Sequence, residues 1–229
     1  IEAAKLSKLG FVSREDGIEC DQGFFLTHGW DKKTPSRALD NLGTDFLFPE
    51  IKYKFHACCH GLHSFLEALE ELKQENNFNP ESIEEIAIET NPSWLKVCNI
   101  QEPKTGLESK FSYKLTAAMS IYGKDTADLG TYNDDICFDD RINNIRDKVK
   151  VIPNDQLSNT QSLISIKDGS RDIKNKHDLS DKIDQNILET KIVNKSASLL
   201  SKNKSHEISK MLNAPTASKV SSLVDCLVS

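Results

Sequence analysis

The sequence lacks any uninterrupted apolar run near the ~18 to 20 residues that a bilayer-spanning helix needs. Its first residues also lack the charged-then-apolar order of a signal peptide. Membrane-spanning and secreted readings lose their main support. A concentrated basic face is missing too: 29 Lys and Arg stand against 35 Asp and Glu, a formal net charge of -6, with the lysines scattered. Phosphate backbones select clustered positive charge, so neither nucleic acid nor a membrane is expected as a partner. The aromatic residues are not interleaved with basic ones as in a single-strand binder. No repeat of fixed period or low-complexity tract stands out. The cysteines, Cys20, Cys58, Cys59, Cys98, Cys137 and Cys226, follow no disulfide-framework spacing, which points to a reducing cytoplasm.

What remains is a chain of 229 residues, 38% hydrophobic and 28% charged, with a mean hydropathy of -0.47. That is enough for a real core in one large or two small domains. An anionic small substrate is compatible with the acidic balance, because a local pocket can oppose the global sign. The chain opens on Ile1 inside a helix-like run, Ile1 to Gly10, and so reads as the back part of something longer.

Apolar Ile1, Ala4, Leu6 and Leu9 recur at helical spacing, with Gly10 as a stop. From Phe11 to Pro49 the pattern is irregular, punctuated by Gly17, Gly23, Gly29, Pro35 and Gly43, which predicts a long connection with short helical turns. Leu62, Phe65, Leu66, Leu69 and Leu72 mark one face of a helix over about 61–74, with Glu67, Glu70, Glu71 and Lys73 on the rest. Ile83, Ile86 and Ile88 within 82–90 end in the alternation of a half-buried strand. Thr105 and Glu108 stand at capping-box spacing before Phe111, Leu115, Ala118 and Met119, predicting one helix that ends near Gly123. A strand over 148–152 stops at Pro153, and 164–171 reads as a hairpin arm with an Asp168-Gly169 turn. Residues 174–185 are polar and read as a linker. Three apolar helical patches follow, around 187–200, 208–212 and 220–227. These pieces predict an α+β class with a small antiparallel or mixed sheet and helices on one face.

The densest reactive cluster is Lys54-Phe55-His56-Ala57-Cys58-Cys59-His60-Gly61-Leu62-His63, leading into the first of these helices. His60 and His63 lie one helical turn apart beside two thiols, which raises zinc; against it, adjacent cysteines seldom point both sulfurs at one metal. A thiolate nucleophile next to a histidine competes with plain burial of Cys58 and Cys59. His63, near a helix N-terminus, is placed to stay neutral and accept a proton, or else to pack as a hydrogen-bonded core histidine. Lys54 can hold a carboxylate as a point charge. Lys110 and Ser112 can present a cation and a hydroxyl at a helix start, or serve as a solvated lysine and an ordinary cap.

The order of these stretches resembles the MmgE/PrpD family, which includes 2-methylcitrate dehydratase, cis-aconitate decarboxylase and iminodisuccinate epimerase. The matching stretches are 4–11 with Gly23-Phe24-Phe25, then 54–63, then 99–112, then Asp168-Gly169. The resemblance implies a small mixed-sheet lid domain flanked by segments of an all-helical domain whose N-terminal portion is largely missing. On that basis 1–48 ends the first helical part, 49–174 is the lid and 175–229 returns to the helical domain. It further implies cofactor-free and metal-free proton transfer next to a carboxylate of a small di- or tricarboxylate, in a protein that is a homodimer at full length. His63 would be the acid-base residue, and Lys54, with Lys110 and Ser112, would bind substrate. Where several members carry an aromatic hydroxyl, this chain has Leu115, with Tyr113 displaced. The family's other catalytic aspartate, histidine and lysine positions fall upstream of Ile1, so the polypeptide alone is expected to be inactive, either as part of a lyase or isomerase or as a non-catalytic lid subunit that completes a separate helical half.

Overall fold

The computed structural model describes residues 1–29, 40–48, 51–214 and 220–228. Pro35, one of the punctuating residues, and Pro49, the end of that stretch, lie outside them. The chain divides into two compact units, 1–51 and 52–229.

In the first unit, α1 (Glu2–Lys8) ends where Gly10 takes a φ of +83°, a conformation glycine reaches without a Cβ penalty. The irregular stretch that follows holds one short helix, α2 (Phe24–Thr27), among the described residues. Neither helix buries a residue.

The second unit is built on a four-stranded mixed sheet in the order β2-β1-β3-β4. Its strands are β1 (Ile83–Thr90), β2 (Val149–Pro153), β3 (Gln161–Asp168) and β4 (Arg171–Asp178). β1 and β2 run parallel, with Ile86 opposite Val149, and a parallel pair requires a long crossover. That crossover carries α4 (Pro92–Leu95), α5 (Gly106–Ser109), α6 (Tyr113–Ile121) and α7 (Asp140–Asp147). The remaining pairings are antiparallel, with Ile86 opposite Ile166 and Ile164 opposite Asn175. Ahead of the sheet comes α3 (His63–Glu75), which packs on β3 and β4, while α6 packs against β2, α3 and α7.

The alternation of β1 and β3 turns Ile86, Ile88, Ile164 and Ile166 to the helices, where Leu62, Phe65, Leu66 and Leu69 of the α3 region and Leu115 and Met119 of α6 meet them. Each such side chain contributes about 1.5–3 kcal/mol of burial. Tyr113 is a bolt in this core: its hydroxyl donates to the Gly61 carbonyl at 2.7 Å and lies 3.1 Å from Thr90 Oγ1.

Three expectations from the sequence are corrected. The single helix after Thr105 is two helices. Thr105 caps α5 by accepting from the Glu108 amide, and the chain then turns through Lys110 and Phe111 so that Asn99 and Ser112 form a bridge. Ser112 starts α6 anew, its hydroxyl accepting from the Leu115 amide at 3.2 Å. The supposed linker contains most of β4, which runs to Asp178 as an edge strand. After Ile173, which packs on the core, its inward positions are polar: Asn175 donates to the Ala68 carbonyl and to Glu71, and His177 Nδ1 lies 2.8 Å from Glu71 Oε1. With hydrogen bonds in place of apolar contacts beyond Ile173, the strand carries no sustained hydrophobic alternation. The third is Glu67, placed by its spacing off the apolar face of α3 but buried all the same.

The unit closes with α8 (Gln185–Leu200), α9 (Lys202–Asn213) and α10 (Val220–Val228), where the three apolar patches predict helices. α8 and α9 form a hairpin about Ser201, whose φ of +104° is unusual for a residue with a Cβ.

Candidate active site

The reactive cluster occupies an extended segment that enters α3 through a 3₁₀ turn, His60–Leu62. Two backbone bonds pin it: the Ala57 amide donates to the Thr126 carbonyl at 2.8 Å, and the Cys59 amide to the Lys110 carbonyl at 2.9 Å. Gly61 permits the turn, since a Cβ there would collide with the Trp94 ring and stand 2.9 Å from Cys98 Sγ.

His63, the first residue of α3, exposes none of its surface, and among the described residues neither ring nitrogen has a hydrogen-bond partner. Its ring lies 5.1 Å from that of His56, edge to face, and 5.2 Å from that of His60. Burial, reinforced by His56, His60 and Lys54, pushes its pKa down to about 2, so at neutral pH it is an uncharged imidazole. His60 is half-buried and shifted the same way, first by burial and then by Lys54 and Lys52. The Lys52 and Lys54 side chains are exposed, and their charges act on the histidine pair.

His56 is held from both sides. Its Nδ1 lies 2.7 Å from Thr126 Oγ1 and its Nε2 3.1 Å from Glu67 Oε1. Glu67 also pairs with Lys191 of α8, which reaches Glu70 at 3.7 Å as well. Burial would raise the Glu67 pKa, but the hydrogen bonds from His56 and Lys191 outweigh it and hold the carboxyl at about 2, ionised. His56, Glu70, Asp125, Lys191, Lys195 and Lys202 are among the residues lining a cleft of about 430 Å³ along α8.

The structure brings Lys54 and His63 into electrostatic reach of each other. The Lys110 ammonium lies 5.9 Å over the Tyr132 ring, and the buried Ser112 hydroxyl serves as the helix cap. Cys58 is buried, and desolvation, only partly offset by a hydrogen bond with Tyr132 and by Lys54, pushes its thiol up to about 12. A thiolate nucleophile does not fit that position. The ligand atoms of His56, Glu67 and Glu70 lie within 4.8 Å of one another, as a metal would need, but the Lys191 ammonium is paired with both carboxylates and already fills the cation's place.

Glu67 and Lys191 were not singled out from the sequence. The signal for Glu67 was its position four residues after His63, on the same helix face. Nothing local marks Lys191, which is 124 residues further along the chain.

Residues 56–213 match the MmgE/PrpD C-terminal domain. The chain belongs to the MmgE/PrpD family. The match opens at His56, inside the histidine-rich segment, and runs through the sheet and the α8–α9 hairpin. No curated protein matches the chain. Among the described residues no helix is long and apolar enough to cross a membrane.

Proposed function

We propose that this chain supplies the acid-base imidazole and a carboxylate-holding cation for a lyase or isomerase of small di- or tricarboxylates, of the 2-methylcitrate dehydratase kind. His63 moves a proton at the carbon next to a substrate carboxylate, and Lys54 holds that carboxylate. The observation that carries the reading is the buried His63 ring with two unpartnered nitrogens. Leaving a buried polar atom unpaired costs about 1–3 kcal/mol, and a core that keeps such a ring favours a role over mere packing. Burial keeps the ring uncharged with a lone pair free, and the exposed cations Lys52 and Lys54 lie close enough to attract a polyanion to this segment. Proton abstraction beside a carboxylate builds negative charge on that carboxylate, which a fixed ammonium stabilises.

The test is calorimetric titration of the chain with 2-methylcitrate, cis-aconitate and the unreactive tricarballylate, repeated with Lys54→Met and His63→Gln. Saturable binding of at least one acid, weakened tenfold or more by Lys54→Met, supports the reading. Equal affinity in wild type and Lys54→Met, or no binding of any acid, contradicts it. A second reading, a non-catalytic subunit that completes a separate helical half, is favoured by the exposed apolar Leu6 and Leu9 near α1 and Val220, Val224 and Leu227 on α10.

A further inference from the structure

Cys59 and Cys98 are far apart in the chain and meet in the fold, their thiols within hydrogen-bonding reach of each other. The backbone around both is pinned to one stretch of chain. The Cys59 amide donates to the Lys110 carbonyl at 2.9 Å, the Ile100 amide donates to the Phe111 carbonyl at 3.0 Å, and Asn99 bridges Ser112. Cys98 Sγ also stands 2.9 Å from the point that a Gly61 Cβ would occupy, two residues beyond Cys59. The backbone at Cys59 is extended, with φ -58° and ψ 140°, and successive side chains of an extended chain point to opposite sides. Cys58 accordingly turns to Tyr132, its hydrogen-bond partner, and Cys59 to Cys98. Both thiols of the pair are free; Cys59 is half-buried and Cys98 is buried.

We propose that Cys59 and Cys98 form a reversible oxidation site, in which a hydroperoxide oxidises Cys59 and Cys98 then closes a disulfide onto it. In the first step the Cys59 sulfur attacks one peroxide oxygen. The O–O bond breaks, the thiol proton leaves with the other oxygen as water or alcohol, and Cys59 becomes a sulfenic acid. In the second step the Cys98 sulfur attacks the Cys59 sulfur. The S–O bond breaks, and the hydroxyl leaves as water with the Cys98 proton. The two thiols together give up two electrons, which the peroxide takes. Cys59 is the first target because it is the accessible sulfur of the pair. Cys98 donates to the Trp94 carbonyl at 3.4 Å, and desolvation, followed by the neighbouring Cys59, raises its pKa, so it reacts only with a partner already held against it. The bond would tie the segment just before the 3₁₀ turn His60–Leu62 to the chain just after α4. In the reduced protein hydrogen bonds alone fix that turn, which leads into His63. The inference needs only the two sulfurs and does not rest on the acid-base reading.

The experiment treats the full, folded chain, first reduced with dithiothreitol and freed of it, with hydrogen peroxide. Remaining thiols are blocked with iodoacetamide in urea, and the unreduced peptides are read by mass spectrometry. The Cys59 and Cys98 peptides should be joined, two hydrogens lighter than their sum, in about tenfold or greater excess over any other pairing. Dithiothreitol should return both thiols. Because Cys58 shares the Cys59 peptide, two variants assign the bond: it should persist in Cys58→Ser and vanish in Cys59→Ser. In Cys98→Ser, with no second sulfur to close the bond, dimedone should capture Cys59 as its sulfenic acid. A Cys59 left unchanged or carried on to sulfinic acid in wild type overturns the proposal, and so does a bond to Cys98 that survives in Cys59→Ser. A bond that forms only after unfolding in urea overturns it as well. The wild-type result is decisive by itself, so a variant that fails to fold does not shelter the proposal.

Discussion

Replacing His63 by leucine should make the protein more stable and flatten its response to acid. Two buried nitrogens without partners cost about 1–3 kcal/mol each relative to a satisfied or apolar site. Leucine fills a comparable volume, and after allowance for imperfect repacking between His56 and His60 the net gain at pH 7 should be about 1–2 kcal/mol. The pH effect follows from linkage. An unfolded histidine takes up a proton near its ordinary pKa of 6.5, whereas the folded ring resists until about 2. Between those values the unfolded state binds more protons, so stability is lost as pH falls. One such group accounts for about 2 kcal/mol of loss between pH 7 and pH 5. His60 is shifted in the same direction and remains in both proteins, so the difference between wild type and His63→Leu isolates the ring. Urea unfolding followed by circular dichroism at pH 7 and pH 5 measures both quantities. If His63→Leu loses as much stability as wild type on going to pH 5, the ring is not buried and neutral, and the reasoning fails.

Three further outcomes are expected. Ser201→Gly should stabilise the α8–α9 hairpin by about 1–2 kcal/mol in thermal or urea melts, because relief of a φ of +104° outweighs the loss of the hydroxyl cap on the Lys204 amide. Gly61→Ala should destabilise by about 1–3 kcal/mol in the same melts, since the new Cβ collides with Trp94, whose Nε1 is anchored on the Asn159 carbonyl at 2.8 Å. Cys58 and Cys98, both buried with thiols pushed up to about 12 chiefly by desolvation, should resist iodoacetamide at pH 8 in the folded protein and react once it is unfolded in urea, as read by peptide mass spectrometry.

How much of this was legible in the sequence depended on whether a residue's partners were close by in the chain. The apolar stripe of α3, the alternation of β1 and the Asp168-Gly169 turn are local signals, and each element formed where its pattern lay. The break between α5 and α6 was hidden because Ser112 is both a tolerated helix residue and a strong cap, and its bridge to Asn99 decides between the two. β4 was hidden because Asn175 and His177 face α3 through hydrogen bonds to Glu71 and so read as polar loop. The histidine segment was visible as a composition, but the roles within it were not. His56 takes Glu67 and Thr126 as partners, His63 takes none, and the ion that balances Glu67 arrives from α8.

The most direct test of the account follows the His63 ring itself. In ¹⁵N NMR of the full chain titrated with tricarballylate at pH 7, the account predicts a neutral His63 in the free protein and a saturable shift of at least one of its ring nitrogens, absent in Lys54→Met. A His63 signal that stays unmoved while the acid binds elsewhere would contradict it.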